Sequence, residues 1–383
     1  MRKAVLALLA GLVGMALSVP AWADVTVGIV MSMTGPVSSI GLPYMKGFAA
    51  AEAGTASVGG QKIRVVTIDD QSDPSIGARA ARKLIEEENV DVIVGSAGSP
   101  VSDAVYSVAH EAKVPMVYTA NGAIPGERGD WEITIPQPMA LVLSAVAQHM
   151  QKTGIRTVAF IGFNDAFSDS VLAGLKQNTD KFGIQIVADE RYARNDTSVT
   201  PQMLKMLAAH PDAIFTGGSG APGALPHIVL AERGWHGPVY SSHAIINNEF
   251  LRLAAKRADG VIAPAGPITV AEQLPDSNPI KARVAVFRKL YEQANNDTAL
   301  NPFAGYAYDA LLVSYDAIGR ALAGGAKPGT EAFRLALRDA LTTTRDVVGV
   351  QGIYNFRPGE RFGVDERARV LVSLHDGKWE LIE

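Results

Sequence analysis

The chain has 383 residues, with 35 basic and 39 acidic side chains, a net charge of −4 and no cysteine. That mild acidity leaves no electrostatic footprint for nucleic acid or an anionic membrane surface. The absence of thiols excludes disulfides, thiolate catalysis, Cys-ligated zinc and iron–sulfur clusters, and the length exceeds a single ordinary core, so two domains are expected.

The first residues read as an export signal. Arg2 and Lys3 form a positive start, Ala4 to Val19 is an apolar stretch, and Ala21-Trp22-Ala23 places small residues where a signal peptidase reads. The stretch is short for a span of roughly 20 residues, so cleavage near Ala23/Asp24 is expected. Loss of Arg2 and Lys3 deepens the net charge to −6.

Beyond the leader, short β-branched runs alternate with helical patterns. Val25–Val30 and Ile63–Ile68 predict buried strands. Asp73-Pro74 predicts a capped helix start, followed by Ile76, Ala80, Ala81, Leu84 and Ile85 on one face. Val90–Val94 and Val114–Tyr118 are further strands, with a helix starting at Ser99-Pro100 between them. The alternation continues: strand Thr157–Ile161, helix Ser168–Phe182 stopped by Gly183, strand Ile184–Ala188, a helix from Thr200-Pro201, and strands Ala213–Thr216 and Val239–Tyr240. Such alternation predicts doubly wound parallel sheets with helices on both faces, and two of them fit the length. The last third predicts helices over Pro279–Asn295, Gly305–Ala323 and Thr330–Thr344, then strands Ile353–Phe356 and Arg369–Leu374, and a hairpin turn at Asp376-Gly377 before Trp379–Ile382. The proline-rich stretch Pro264 to Pro279 is a candidate crossing between lobes.

Few constellations offer chemistry. Gly218-x-Gly220-x-x-Gly223 has the spacing of a dinucleotide fingerprint, but Pro222 interrupts it and no acidic residue follows the next strand. A glycine-rich loop that lets something approach its backbone is the better reading. Ser219 lies in an incomplete nucleophile elbow, with His227, His236 and His243 downstream; an exported serine hydrolase is the alternative function class. Asp69, Asp70 and Asp73 cluster after a strand, where a solvated turn and a helix cap explain them better than a metal, and the histidines lack metal-ligand spacing. No cofactor is expected. Ser99 is more informative, because it starts a helix at the carboxyl end of a parallel strand, where open α/β sheets bind ligands. A helix N-terminus suits a carboxylate, although a plain N-cap explains the serine equally well.

Thr34-Gly35-Pro36 with Gly41 and Gly47, Asp69-Asp70-Gln71 with Asp73-Pro74, Val94-Gly95 through Ser99-Pro100, Lys113-Val114-Pro115, and Gly305-Tyr306-Ala307-Tyr308-Asp309-Ala310 occur in an order and spacing that cover nearly the whole mature chain. In these the chain resembles the periplasmic solute-binding proteins of branched-chain amino-acid-type ABC importers, the type I periplasmic binding fold. The resemblance implies two α/β lobes, here 24–143 with 267–347 and 144–266 with 348–383, hinged near 143, 266 and 348 and closing over one small molecule. It implies no catalysis, a membrane permease as partner and a monomer as the usual state. An extracytoplasmic sensor module is a third class, and would need a separate membrane partner. A lipid-anchored member needs a cysteine at its cleavage site, so this chain is expected to be released freely in a Gram-negative periplasm.

In relatives that bind leucine, isoleucine or valine, a serine and a threonine hold the ligand carboxylate and a glutamate pairs with its ammonium. By resemblance the serine falls on Ser99, the threonine on Ala123, the glutamate on His243 and a second-lobe tyrosine on Phe167. Asn121 and Ala123 retain backbone groups, and Ile40, Ser219, Phe303, Tyr306 and Tyr118 are the remaining candidate wall residues. An ammonium in a closed cleft needs a desolvated anionic partner, which His243 does not supply. The expected ligand is therefore a carboxylate without an α-ammonium, such as a benzoate, a hydroxycinnamate or a small aliphatic acid. An unmodified branched-chain amino acid or an amide is the alternative.

Overall fold

A computed structural model describes residues 24–121 and 131–382 of the chain; the expected leader and Ala123 lie outside the described residues. The first sheet contains β1 (Val25–Met31), β2 (Ser57–Val58), β3 (Gln61–Asp69), β4 (Val92–Gly95), β5 (Met116–Tyr118) and β6 (Glu132–Thr134), in the order β2-β3-β1-β4-β5-β6. Between these strands run α1 (Ser38–Gly54), α2 (Pro74–Glu86) and α3 (Ser99–Glu111). After α4 (Met139–Lys152) come β7 (Thr157–Phe163), α5 (Ala166–Thr179), β8 (Gln185–Tyr192), α6 (Thr200–Ala208), β9 (Ala213–Gly217), α7 (Ala224–Glu232), β10 (Val239–Ser241), α8 (Asn248–Ala254) and β11 (Ile262–Ala265). The chain then forms α9 (Pro279–Asn295), α10 (Pro302–Ala323), α11 (Glu331–Thr342) and the short pair β12 (Val347–Val348) and β13 (Ile353–Tyr354), and ends in β14 (Val370–His375) and β15 (Lys378–Leu381). The second sheet has the order β15-β14-β11-β10-β9-β7-β8.

Local chemistry explains the helix boundaries. Asp73 accepts hydrogen bonds from the Ser75 and Ile76 amides and caps α2, whose buried Gly77, Ala80, Ala81 and Leu84 repeat at helical spacing. The α5 helix runs into a 3₁₀ turn that stops at Gly183, in the left-handed region at φ 66°. Two expected caps are different in detail. Ser99 and Thr200 are first helical residues, preceded by Gly98 and Val199 without a side-chain cap. The Ser99 hydroxyl instead donates to the Asn121 carbonyl.

The core of each sheet is parallel and doubly wound, in the orders β3-β1-β4-β5 and β8-β7-β9-β10. In each, the first strand sits between its two successors, which makes a topological switch point. The sheets are not wholly parallel, because β2 pairs antiparallel with β3, and the β14–β15 hairpin pairs antiparallel with β11. A tight turn permits only antiparallel neighbours, whereas parallel ones need a crossover; Asp376-Gly377, both at positive φ, supply that turn.

Three segments carry the chain between the sheets: one between β6 and α4, one after β11, and one between α11 and β14. Their polar side chains are tied together. Gln137 Nε2 donates to the carbonyls of Gln351 and Ala368, while Tyr306 donates to Gln137 Oε1 at 2.7 Å. Asp309 accepts from the Val350 and Gln351 amides and from the Tyr354 hydroxyl, each at 2.8 Å.

Candidate functional site

The switch points of the two sheets face one cleft, and most wall residues follow the carboxyl end of a parallel strand. From the first sheet, Ala97 and Ser99 follow β4, and Thr119 and Asn121 follow β5; from the second, Phe167 follows β7, Arg194 β8, Ser219 β9 and His243 β10. Helix α1 adds Ile40 and Tyr44, and the first turns of α10 add Phe303 and Tyr306. The walls enclose ≈ 370 Å³, including the mouth, and stand close together, with only ≈ 20 Å³ open to the centre of a water molecule.

The expected site residues Ile40, Ser99, Asn121, Phe167, Ser219, His243, Phe303 and Tyr306 all line this cleft. Tyr118 does not. Side chains alternate across a strand, so Met116 and Tyr118 face α3 and pack with Tyr106, whereas Val117 joins the main core. The Tyr118 ring lies 5.8 Å from that of Tyr106. Thr119, one residue on, reaches the cleft instead, with its hydroxyl donating inward to the Ser96 carbonyl at 2.9 Å.

The first-sheet side is held in shape by the aspartates. Asp69 accepts from the Met33 and Gln71 amides and from the Thr34 hydroxyl, and buried Asp70 accepts from the Ser32 and Ser96 hydroxyls and the Ser72 amide. With Asp73 capping α2, all three are occupied by protein donors, and Asp70 is the one that anchors Ser96 in the loop leading to Ser99. At the start of α3, Pro100 has no N–H and the Ser102 amide returns to the Gly98 carbonyl. The Ser99 and Val101 amides therefore have no partner within the helix, and the helix dipole favours negative charge there.

The second-sheet side contributes Arg194, absent from the sequence-based set. Its Nε donates to Asp165 at 2.6 Å, its Nη1 to Ser219 Oγ at 2.8 Å, and its guanidinium lies 4.0 Å from the Phe163 ring centroid. The rule that marked Ser99, a residue beyond the carboxyl end of a parallel strand, applies equally to Arg194 after β8. Ser219 is thus hydrogen-bonded by an arginine rather than by a histidine base. His243 is 8% exposed, and burial holds its imidazole down at a pKa of about 4, so it is neutral at pH 7. Aromatic rings complete the walls: Tyr44 and Phe303 at 5.8 Å, Phe303 and Tyr306 at 5.9 Å, Phe167 and His243 at 6.4 Å.

The glycine-rich loop admits a neighbour, as its composition suggests, and that neighbour is α1. Ser39 Oγ accepts the Ala221 amide at 3.0 Å, a direct link across the cleft. A Cβ on Gly220, at φ +59°, would lie 2.6 Å from the same Ser39 Oγ.

Two doubly wound sheets with a shared cleft at their switch points define a two-lobed α/β architecture with its binding cleft between the lobes. The chain belongs to the periplasmic binding protein family, whose model matches residues 24–369. It is 25% identical to the Leu/Ile/Val-binding protein BraC3 of Rhizobium johnstonii, over 83% of this chain and 84% of that one. A solved protein of Rhodopseudomonas palustris, Rp1789, is 37% identical, with a TM-score of 0.90 over 94% of this chain and all of its own. A solute-binding protein of an R. palustris ABC transporter, solved with benzoate, shares the fold at 21% identity, with a TM-score of 0.75 over 94% of this chain and 96% of its own. The family, BraC3 and the benzoate-bound protein are named as binding proteins rather than enzymes, and none of them supports the serine hydrolase alternative.

Proposed function

We propose that this protein captures an organic acid without an α-ammonium, an aromatic acid first among them, and delivers it to an ABC permease. The observation that carries the reading is the charge of the cleft. Among the described residues, its lining includes one cationic side chain, Arg194, which is paired with Asp165 behind it, and no carboxylate. An α-ammonium enclosed there would lose its hydration without an anionic partner, at a cost of several kcal/mol. A carboxylate would instead meet the Ser99 end of α3 and the donors of the second lobe. Phe167, Phe303, Tyr306 and Tyr44 are flat walls suited to a ring. Binding draws the lobes together in a hinge motion about the three crossing segments, and the closed form is the one a permease recognises. The leader expected over residues 1–23 would deliver the protein to the periplasm.

One observation favours an amino acid instead. Asn121 Oδ1 is buried without a hydrogen-bond partner among the described residues, and such an acceptor suits an ammonium. A thermal-shift screen separates the two readings, because a ligand raises stability by RT ln(1 + [L]/Kd). Benzoate or a hydroxycinnamate should raise the melting temperature and leucine should not; a shift with leucine alone refutes the acid reading.

A further inference from the structure

Behind the cleft lies a second, smaller chamber that shares His243, Phe303 and Tyr306 with it and reaches down to the crossing segments at Gly266, Thr269 and Gln351. Three buried polar atoms on its lining residues have no hydrogen-bond partner among the described residues: His243 Nδ1, Thr269 Oγ1 and Gln351 Oε1. The rest of Gln351 is occupied, its amide donating to Asp309 and its Nε2 to the Pro302 carbonyl, both at 2.8 Å. Buried polar groups are rarely left unpaired, and three on one chamber point to a shared partner.

Size and chemistry define that partner. About 10 Å³ of the chamber is open to the centre of a water molecule, room for one oxygen. Gln351 Oε1 only accepts. Thr269 can donate or accept, and the neutral imidazole of His243 does either according to its tautomer. A partner for all three must donate to Gln351; a hydroxyl and an ammonium both do so, a carboxylate, carbonyl or halogen does not, and the acid reading above selects the hydroxyl.

We propose that His243, Thr269 and Gln351 form a hydroxyl subsite, filled by the hydroxyl of a hydroxylated acid in the complex and by solvent before it binds. This rests on the acid reading above and narrows it, because a ring acid with a hydroxyl remote from its carboxylate then binds more tightly than its unsubstituted parent. Two of the three groups sit on crossing segments, so the same oxygen ties the ligand to the elements about which the lobes turn.

Thr269→Val tests this, since among the described residues the Thr269 hydroxyl makes no protein hydrogen bond that the change would break. In the unliganded mature protein the variant should melt at a lower temperature than the parent, having lost a solvent-bridged group. A higher melting temperature shows a dry chamber and overturns the proposal. Calorimetric titration with 4-hydroxybenzoate against benzoate, and 4-hydroxycinnamate against cinnamate, then identifies the source of the oxygen. The parent protein should prefer the hydroxylated member of at least one pair by tenfold or more, and Thr269→Val should reduce that preference to threefold or less. Equal affinities within both pairs, or a preference that survives the substitution, overturns the ligand subsite. If no ring acid binds at all, the acid reading fails, and the proposal falls with it whatever the melting arm shows.

Discussion

Replacing His243 with glutamate reverses the electrostatic logic of the cleft. His243 is buried and neutral at pH 7, so a carboxylate ligand meets no charge at this position. The introduced carboxylate would place a negative charge against it. With a ligand hydroxyl held at this position, the ligand carboxylate lies ~8–9 Å away, and two unit charges at that separation and an effective dielectric of ~20 repel by about 2 kcal/mol, roughly 30-fold in affinity. The same substitution supplies the partner that an α-ammonium lacks. Isothermal titration should therefore show His243→Glu losing roughly 30-fold for benzoate or 4-hydroxybenzoate and gaining measurable affinity for leucine. His243→Gln, which keeps a neutral donor, should stay within about tenfold of the parent for the acid. If His243→Glu binds the acid as tightly as the parent does, the side chain does not face the ligand and the reasoning fails.

Ser99→Ala should weaken acid binding by about 1.5–3 kcal/mol, the scale of a charge-assisted hydrogen bond; unchanged affinity would mean that the hydroxyl serves only to hold the Asn121 carbonyl. Gly220→Ala should cost about 1 kcal/mol of ligand affinity, because its Cβ crowds Ser39 Oγ and disrupts the Ser39–Ala221 link, and small-angle scattering should show a less compact complex. Burial lowers the pKa of His227 to about 3. The unfolded chain thus binds a proton below about pH 6.5 that the native state refuses, and stability is lost as pH falls from there toward 3. Between pH 7 and 5 the parent should lose about 2 kcal/mol more than His227→Asn in urea denaturation; parallel losses would contradict a neutral buried histidine.

Legibility followed how local each determinant is. The α2 and α9 helices could be read from the chain because an Asp-Pro or Asn-Pro start and a helical apolar period act within a few residues. The α1 helix could not, since Gly41, Pro43 and Gly47 interrupt its pattern. Gly47 is there for a tertiary reason: a Cβ would lie 2.0 Å from the Ala304 carbonyl oxygen of α10. Strand order β8-β7-β9 decides that Arg194 reaches the cleft, and strand order is not local. Tyr118 shows the opposite limit, because its place on the strand was evident while the face it occupies depends on where the cleft lies. The family pattern located Ser99 and His243, whereas the unpaired atoms of Thr269 and Gln351 emerge only when the crossing segments are brought together.

On the proposed function, the cleft accepts a carboxylate and rejects an α-ammonium. Calorimetric titration of the mature protein at pH 7 with 4-hydroxycinnamate and with leucine tests it most directly. Saturable one-to-one binding of the acid and no heat from leucine are expected. Saturable binding of leucine with no response to the acid would contradict the claim.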